Sequence, residues 1–201
     1  MEIPIPSSLL IVGLLARDQS LAERAESALA GEFGPVAERS ATIPFDFTDY
    51  YESEMGPGLV RSWLGFAQPF PADRLADAKL TTVRLEQQLS AAGNPGTVPD
   101  CGARRRGVSP GFRRVNLDPG LLSLHNLVLA STKDFAHRVY LRSGIHAEVT
   151  LIFRDGRYEP LPWTYPDYKT EACQEFLLRC RERLKLNGTT GSSQLRTTRE
   201  P

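Results

Sequence analysis

The strongest constraint on this chain is a dense apolar run from Leu9 to Leu15, broken only by Gly13. It is far shorter than the roughly 20 residues a helix needs to cross a bilayer. A run this short and this apolar suits a central strand buried on both faces. The preceding segment, MEIPIPSS, has no basic stretch, and no small-residue cleavage site follows the run. The expectation is therefore a cytosolic protein with no membrane contact.

Helical periodicity follows. Ser20 and Glu23 have capping-box spacing, and Leu21, Ala25, Ala28 and Leu29 recur at helical intervals until Gly31 and Gly34. Val36 to Phe47 and Val60 to Phe70 read as strands joined by an acidic, aromatic loop. Pro71 opens a second helix whose Leu75, Ala78, Thr82, Leu85 and Leu89 share one stripe. Residues 91–112, rich in Gly, Pro and Arg with no apolar period, predict a mobile loop or insertion.

Arg114 to Asn116 suits a short strand, after which Asp118 and Pro119 predict the cap and first turn of a third helix carrying Leu121, Leu124, Leu127 and Val128. HRVYL and IHAEVTLIF predict strands, and Asp155-Gly156 a hairpin turn returning through Tyr158 to Trp163. Thr170 suits the cap of a last helix ending near Leu186, and residues 187–201 a disordered tail. The expected fold class is α+β: one domain over residues 1–186 with a ferredoxin-like split βαβ core, an added helix, and a C-terminal β-hairpin and helix.

Lys plus Arg and Asp plus Glu number 24 each, so no global field draws the chain to nucleic acid or an anionic membrane. The only basic cluster, Arg104 to Arg106 with Arg113 and Arg114, reads chiefly as solvated loop charge. Cys101, Cys173 and Cys180 contain no CxxC pair; the last two fall on an apolar helical stripe and read as core packing. Phosphate-loop, GxGxxG, HExxH and GxSxG motifs are absent, which removes most support from the common nucleotide-hydrolase, dehydrogenase, zincin and α/β-hydrolase readings.

Polar residues with chemical potential concentrate in a few segments. PFDFTDYYESEMG offers Asp46, Asp49, Glu52 and Glu54 beside Tyr50 and Tyr51, an oxygen-rich set that suits magnesium or manganese or equally a solvated turn. NLDPG places Asp118 at a junction where anion binding and ordinary capping are both open. STKDFAHRVYLRSGIHAEVTL sets Lys133, His137 and Arg138 before a strand, with Glu148 in the next. Strand alternation puts Glu148 on a polar face with His146 and Thr150, and turns His137 toward the core with Val139 and Leu141. LPWTYPDY holds Trp163, Tyr165 and Asp167, where the rings suit either stacking on a base or sugar or a lid over the core.

The segments PFDFTDYYESEMGPG, RRVNLDPG, TKDFAHRVYL, GIHAEVTL and LPWTYPDY, in this order, resemble a bacterial family, domain-of-unknown-function family 4416, over about Leu9 to Leu186. The family pattern has tyrosines where this chain has Leu121 and His146, and a shorter link before NLDPG. The resemblance implies no reaction, substrate or catalytic residue.

The residues leave three readings open. In one, Asp46, Asp49 and Glu52 hold a divalent cation, Lys133 and Arg138 neutralise a phosphate, and His137 and Glu148 do acid–base work in a phosphoester hydrolase or transferase acting on a nucleotide or other phosphorylated ligand. In the second, these groups with Tyr50, Tyr51, Asp118, Trp163, Tyr165 and Asp167 bind such a ligand without turnover. In the third, the domain is a scaffold for partner proteins.

Overall fold

The computed structural model describes residues 8–48, 51–91 and 113–194, with residue 53 and residues 187–194 as backbone only. Among them is one antiparallel sheet of nine strands. In chain order these are β1 (Leu9–Ala16), β2 (Val36–Arg39), β3 (Ile43–Pro44), β4 (Val60–Pro69), β5 (Val115–Leu122), β6 (Asn126–Ser131), β7 (Val139–Arg142), β8 (Ile145–Arg154) and β9 (Arg157–Pro160). The helices are α1 (Gln19–Phe33), the single turn α2 (Glu52–Met55), α3 (Leu75–Ala91) and α4 (Glu171–Gln194). The sheet runs β2-β4-β1-β5-β6-β8-β7, with β3 also on β4 and β9 also on β8.

The apolar run forms β1, and all eight of its residues are buried. Leu10, Val12 and Leu14 pack on one face against Leu21, Ala25 and Leu29 of α1 and Leu85 and Leu89 of α3. Leu9 and Ile11 pack on the other against Phe176, Leu177 and Cys180 of α4. Each fully buried leucine contributes about 1.5–3 kcal/mol relative to exposure, which makes this strand the centre of the fold. The α3 stripe predicted from Leu75 to Leu89 is buried. Asp155 and Gly156 both adopt positive φ in the β8–β9 turn, as a two-residue hairpin requires. Thr170 caps α4, its Oγ accepting from the Cys173 N–H at 3.3 Å.

Several expectations change. Asp18, two residues before Ser20, caps α1 by accepting from the Leu21 N–H at 2.8 Å. The third helix predicted from Asp118 is absent: Asn116 to Leu122 lie in β5, and Leu127 and Val128 in β6. Local capping chemistry loses to a strand position between β1 and β6, where Leu117 and Leu122 are fully buried. α4 continues to Gln194, beyond the predicted end near Leu186. The predicted loop, apart from Ala91 at the end of α3, lies outside the described residues, as does the tail after Gln194.

The alternation predicted for Ile145–Phe153 is also broken. Leu127 pairs with Leu151 and Val128 with Val149, so Thr150 is an extra residue in a bulge. Ile145 and Ala147 therefore face the α3 side, whereas Leu151 joins the core under α4.

Pro119 marks where the sheet splits. β6 pairs with β5 only over Gly120–Leu122, so among the described residues the earlier part of β5 has one side without a strand partner. Helix α3 covers that side. Lys79 Nζ donates to the Leu117 carbonyl at 2.8 Å, and the Leu117 N–H donates to Glu86 Oε1 at 2.7 Å. By alternation the backbone nitrogen of Pro119 faces the same open side, where a missing N–H costs no ladder bond.

Candidate functional site

The split between β5 and β6 opens a cavity of about 110 Å³. Two ionic groups line it. On the β4–β5 side, Arg61 is 2 % exposed, and its Nε lies 2.9 Å from Asp167 Oδ2 and its Nη1 3.5 Å from Asp118 Oδ2. Lys79 Nζ is 3.5 Å from Asp118 Oδ1, and Asn116 Nδ2 donates to Asp118 Oδ2 at 2.6 Å. Arg113 bonds the Asn116 side-chain oxygen and lies 3.4 Å from Glu86 and 3.6 Å from Glu54.

On the β6–β8 side, Glu148 is 2 % exposed and its Oε2 accepts from Arg138 Nε at 2.7 Å. Arg138 Nη1 also donates to Ser131 Oγ at 2.7 Å and to the Lys133 carbonyl at 3.0 Å. Arg138, Lys133 and Ser131 line the same cavity as Arg61 and Lys79, with Tyr51 and Tyr165 beside them.

Electrostatics differ among the carboxylates. Burial pushes the Asp118 carboxyl up, but Lys79, Arg61 and Arg113 together with the Asn116 bond outweigh it and hold Asp118 below the usual carboxylate range. At Asp167 burial prevails, with Asp118 adding repulsion, so its carboxyl is raised despite Arg61. Glu86 is likewise raised, burial outweighing Lys79, Arg113 and the Leu117 N–H.

The site thus gathers Tyr51, Asp118, Lys133, Arg138, Glu148, Tyr165 and Asp167 from separate predicted segments. Asp118 is not a helix cap, and Glu148 is enclosed rather than on an open polar face. His137 is not turned into the core: it precedes the exposed edge strand β7, its ring stacked between Phe135 and Trp163 at 6.0 and 5.0 Å. Its Nε2 lies 3.1 Å from Glu148 Oε2, so Glu148 is shared between His137 and Arg138. Trp163 stacks on that histidine and donates its Nε1–H to the Val149 carbonyl at 2.8 Å.

Of the proposed metal set, only Asp46 and Glu52 fall among the described residues. Asp46 and Glu52 are exposed and do not line the cavity; Asp49 and Tyr50 lie outside the described residues. Among the described residues no three His, Cys, Asp or Glu side chains come together as a metal-holding group.

Sequence reasoning missed Arg61, Lys79, Asn116 and Tyr168. Two signals were available: Lys79 interrupts the apolar stripe of α3, and Gly13 interrupts the β1 run, where a glycine marks close approach of other groups. A Cβ at Gly13 would lie 2.6 Å from both Arg61 Nη2 and Tyr168 Oη.

Fold and cavity together define a mixed α+β protein with a charged cleft in a split antiparallel sheet. No helix among the described residues is long and apolar enough to cross a membrane. The chain belongs to the DUF4416 family, described as a domain of unknown function, whose model matches residues 6–184. No match was found among curated proteins or solved structures.

Proposed function

We propose that the cleft binds a small phosphorylated ligand. The observation that carries this is the convergence on one cavity of five basic side chains, Arg61, Lys79, Arg113, Lys133 and Arg138, from four segments of the chain. Buried ion pairs contribute little net stability, because desolvation offsets their attraction, so a network this concentrated is better explained by a ligand than by folding. The available room suits a phosphate-sized group held inside, with the rest of the ligand lying past Tyr51 and Tyr165.

Binding without turnover is the favoured form. Asp118, Asp167 and Glu148, the carboxylates of the cavity, each face a basic partner, which leaves them poorly suited to share a cation. The metal-dependent hydrolase or transferase is the competing outcome of the test.

The β2-β4-β1-β5 order, with α1 and α3 crossing over one face, supports reading the first half as a ferredoxin-like split βαβ unit. A cytosolic location belongs to the same proposal, and the free buried thiols Cys173 and Cys180 fit a reducing compartment.

The test is thermal unfolding with inorganic phosphate, AMP and glucose 6-phosphate, each with and without magnesium or manganese. A ligand at a hundred times its dissociation constant adds about 2.7 kcal/mol, or roughly 5–10 °C for a domain of this size. No shift with any of them refutes the proposal. Metal-dependent release of phosphate from a generic ester replaces it with the enzyme reading.

A further inference from the structure

At and beneath the floor of the cleft lie buried donors without an aligned hydrogen-bond partner among the described residues. The Arg61 guanidinium carbon lies 5.1 Å from the Trp63 ring centre and 5.3 Å from that of Tyr168, and the two rings meet edge-on at 5.8 Å. Tyr168 is 1 % exposed and lines the cavity. Its hydroxyl has no hydrogen-bond partner among the described residues, and neither does the indole N–H of Trp63. Arg61 Nε meets Asp167 at ion-pair distance without hydrogen-bond alignment. A buried donor left unsatisfied costs about 1–3 kcal/mol, which makes such a group rare and in need of an explanation.

Gly13 shows how two of these groups stand. Arg61 Nη2 and Tyr168 Oη both lie 2.6 Å from the point a Cβ would occupy there, close enough together for one acceptor atom to reach both. Burial above all pushes the Tyr168 hydroxyl well above the ordinary tyrosine range, with Asp118 and Asp167 adding to it against Arg61. Tyr168 therefore stays protonated and acts as a donor.

Resting on the phosphate reading above, we infer that Tyr168 Oη and Arg61 form a subsite for an oxygen of a terminal phosphoryl group, so that the ligand class is a phosphate monoester. Asp118 and Asp167 lie on Arg61 but neither accepts from Tyr168, whose unmatched hydroxyl calls for an acceptor oxygen. Arg61 and Tyr168 line the cavity yet are almost fully buried, so a narrow end group suits them better than the middle of a chain. A monoester brings about −1.5 to −2 charge and free terminal oxygens, whereas a diester is substituted on two sides and carries only about −1.

The experiment is calorimetric titration of the full chain with inorganic phosphate, phenyl phosphate and dimethyl phosphate, on the wild type and on Tyr168→Phe, together with ligand-free unfolding of both. Phosphate and phenyl phosphate are expected to bind, and dimethyl phosphate at least tenfold more weakly. Y168F is expected to lose about ten- to a hundredfold in phosphate affinity, the range for one hydrogen bond to a charged group. Its ligand-free midpoint should be unchanged or higher, because the deleted hydroxyl has no hydrogen bond among the described residues to lose.

Equal binding of the diester by the wild type overturns the monoester assignment, whatever the variant does. Unchanged phosphate affinity in Y168F, or a lower ligand-free midpoint, overturns the role of Tyr168. If the wild type binds none of the three probes, the phosphate reading itself falls and this subsite with it.

Discussion

Gly13→Ala is the sharpest probe of how the cleft floor is built. The added methyl would lie 2.6 Å from Arg61 Nη2 and Tyr168 Oη and 3.0 Å from Arg61 Cζ. Neither neighbour can swing away cheaply, since Arg61 is held by Asp167 and Asp118 and both side chains are almost fully buried. Overpacking of this kind costs about 1–3 kcal/mol, while replacing glycine in a strand recovers about 0.5–1 kcal/mol of backbone entropy. The net expectation is a loss of about 1–2 kcal/mol, or roughly 2–8 °C in midpoint. Gly31 supplies the control. It lies exposed in α1 with nothing within 4 Å of the point an added methyl would occupy, so Gly31→Ala should gain about 0.5–1 kcal/mol from helix propensity. Urea denaturation of both variants measures the pair. A G13A protein as stable as wild type, with G31A behaving as expected, refutes the account of a floor closed by Arg61 and Tyr168.

Glu148→Leu leaves the buried Arg138 without its carboxylate and should cost about 3–5 kcal/mol, whereas the double variant Glu148→Leu/Arg138→Met should recover most of that loss; chemical denaturation of the two separates a charge effect from a packing one. Asp118, whose carboxyl is held low, contributes stability that is present above the ordinary carboxylate pKa near ~4 and lost as pH falls through its lowered value, so the gap between wild type and Asp118→Asn should be constant from neutral pH to about 5 and close below about 4 in a pH series of denaturation curves. Burial pushes the Cys180 thiol up to about 12 and Cys173 well above its usual range, so neither should be alkylated in the native protein at pH 8, as mass mapping after iodoacetamide treatment will read. Changing Arg39 to Ala in the surface Arg39–Glu26 pair should cost under about 1 kcal/mol, because Glu26 is left in contact with solvent and not as a buried unpaired charge.

The sequence by itself determined the parts of the molecule governed by short-range physics. An apolar run too short for a bilayer made β1, the Leu75–Leu89 stripe made the buried side of α3, and Asp155-Gly156 made the β8–β9 turn. The order of the polar segments sufficed for the family. The same local rules failed at Asp118-Pro119, because a capping dipeptide followed by spaced leucines satisfies a helix as well as a strand. Burial between β1 and β6 decided for the strand, and a proline is tolerated there only because β6 diverges at that point.

The cleft depends wholly on that divergence, and none of its charge pairs lies within a helical turn in sequence. Arg61 finds Asp118 and Asp167, and Lys79 finds Asp118 and the Leu117 carbonyl, through strand pairing and helix packing. A charge in an apolar stripe can be noticed from sequence, but its partner is chosen by which distant segment closes the same low-dielectric space. Only the tertiary structure therefore decided that Gly13, Arg61 and Tyr168 form one floor, and that Glu148 is enclosed rather than displayed.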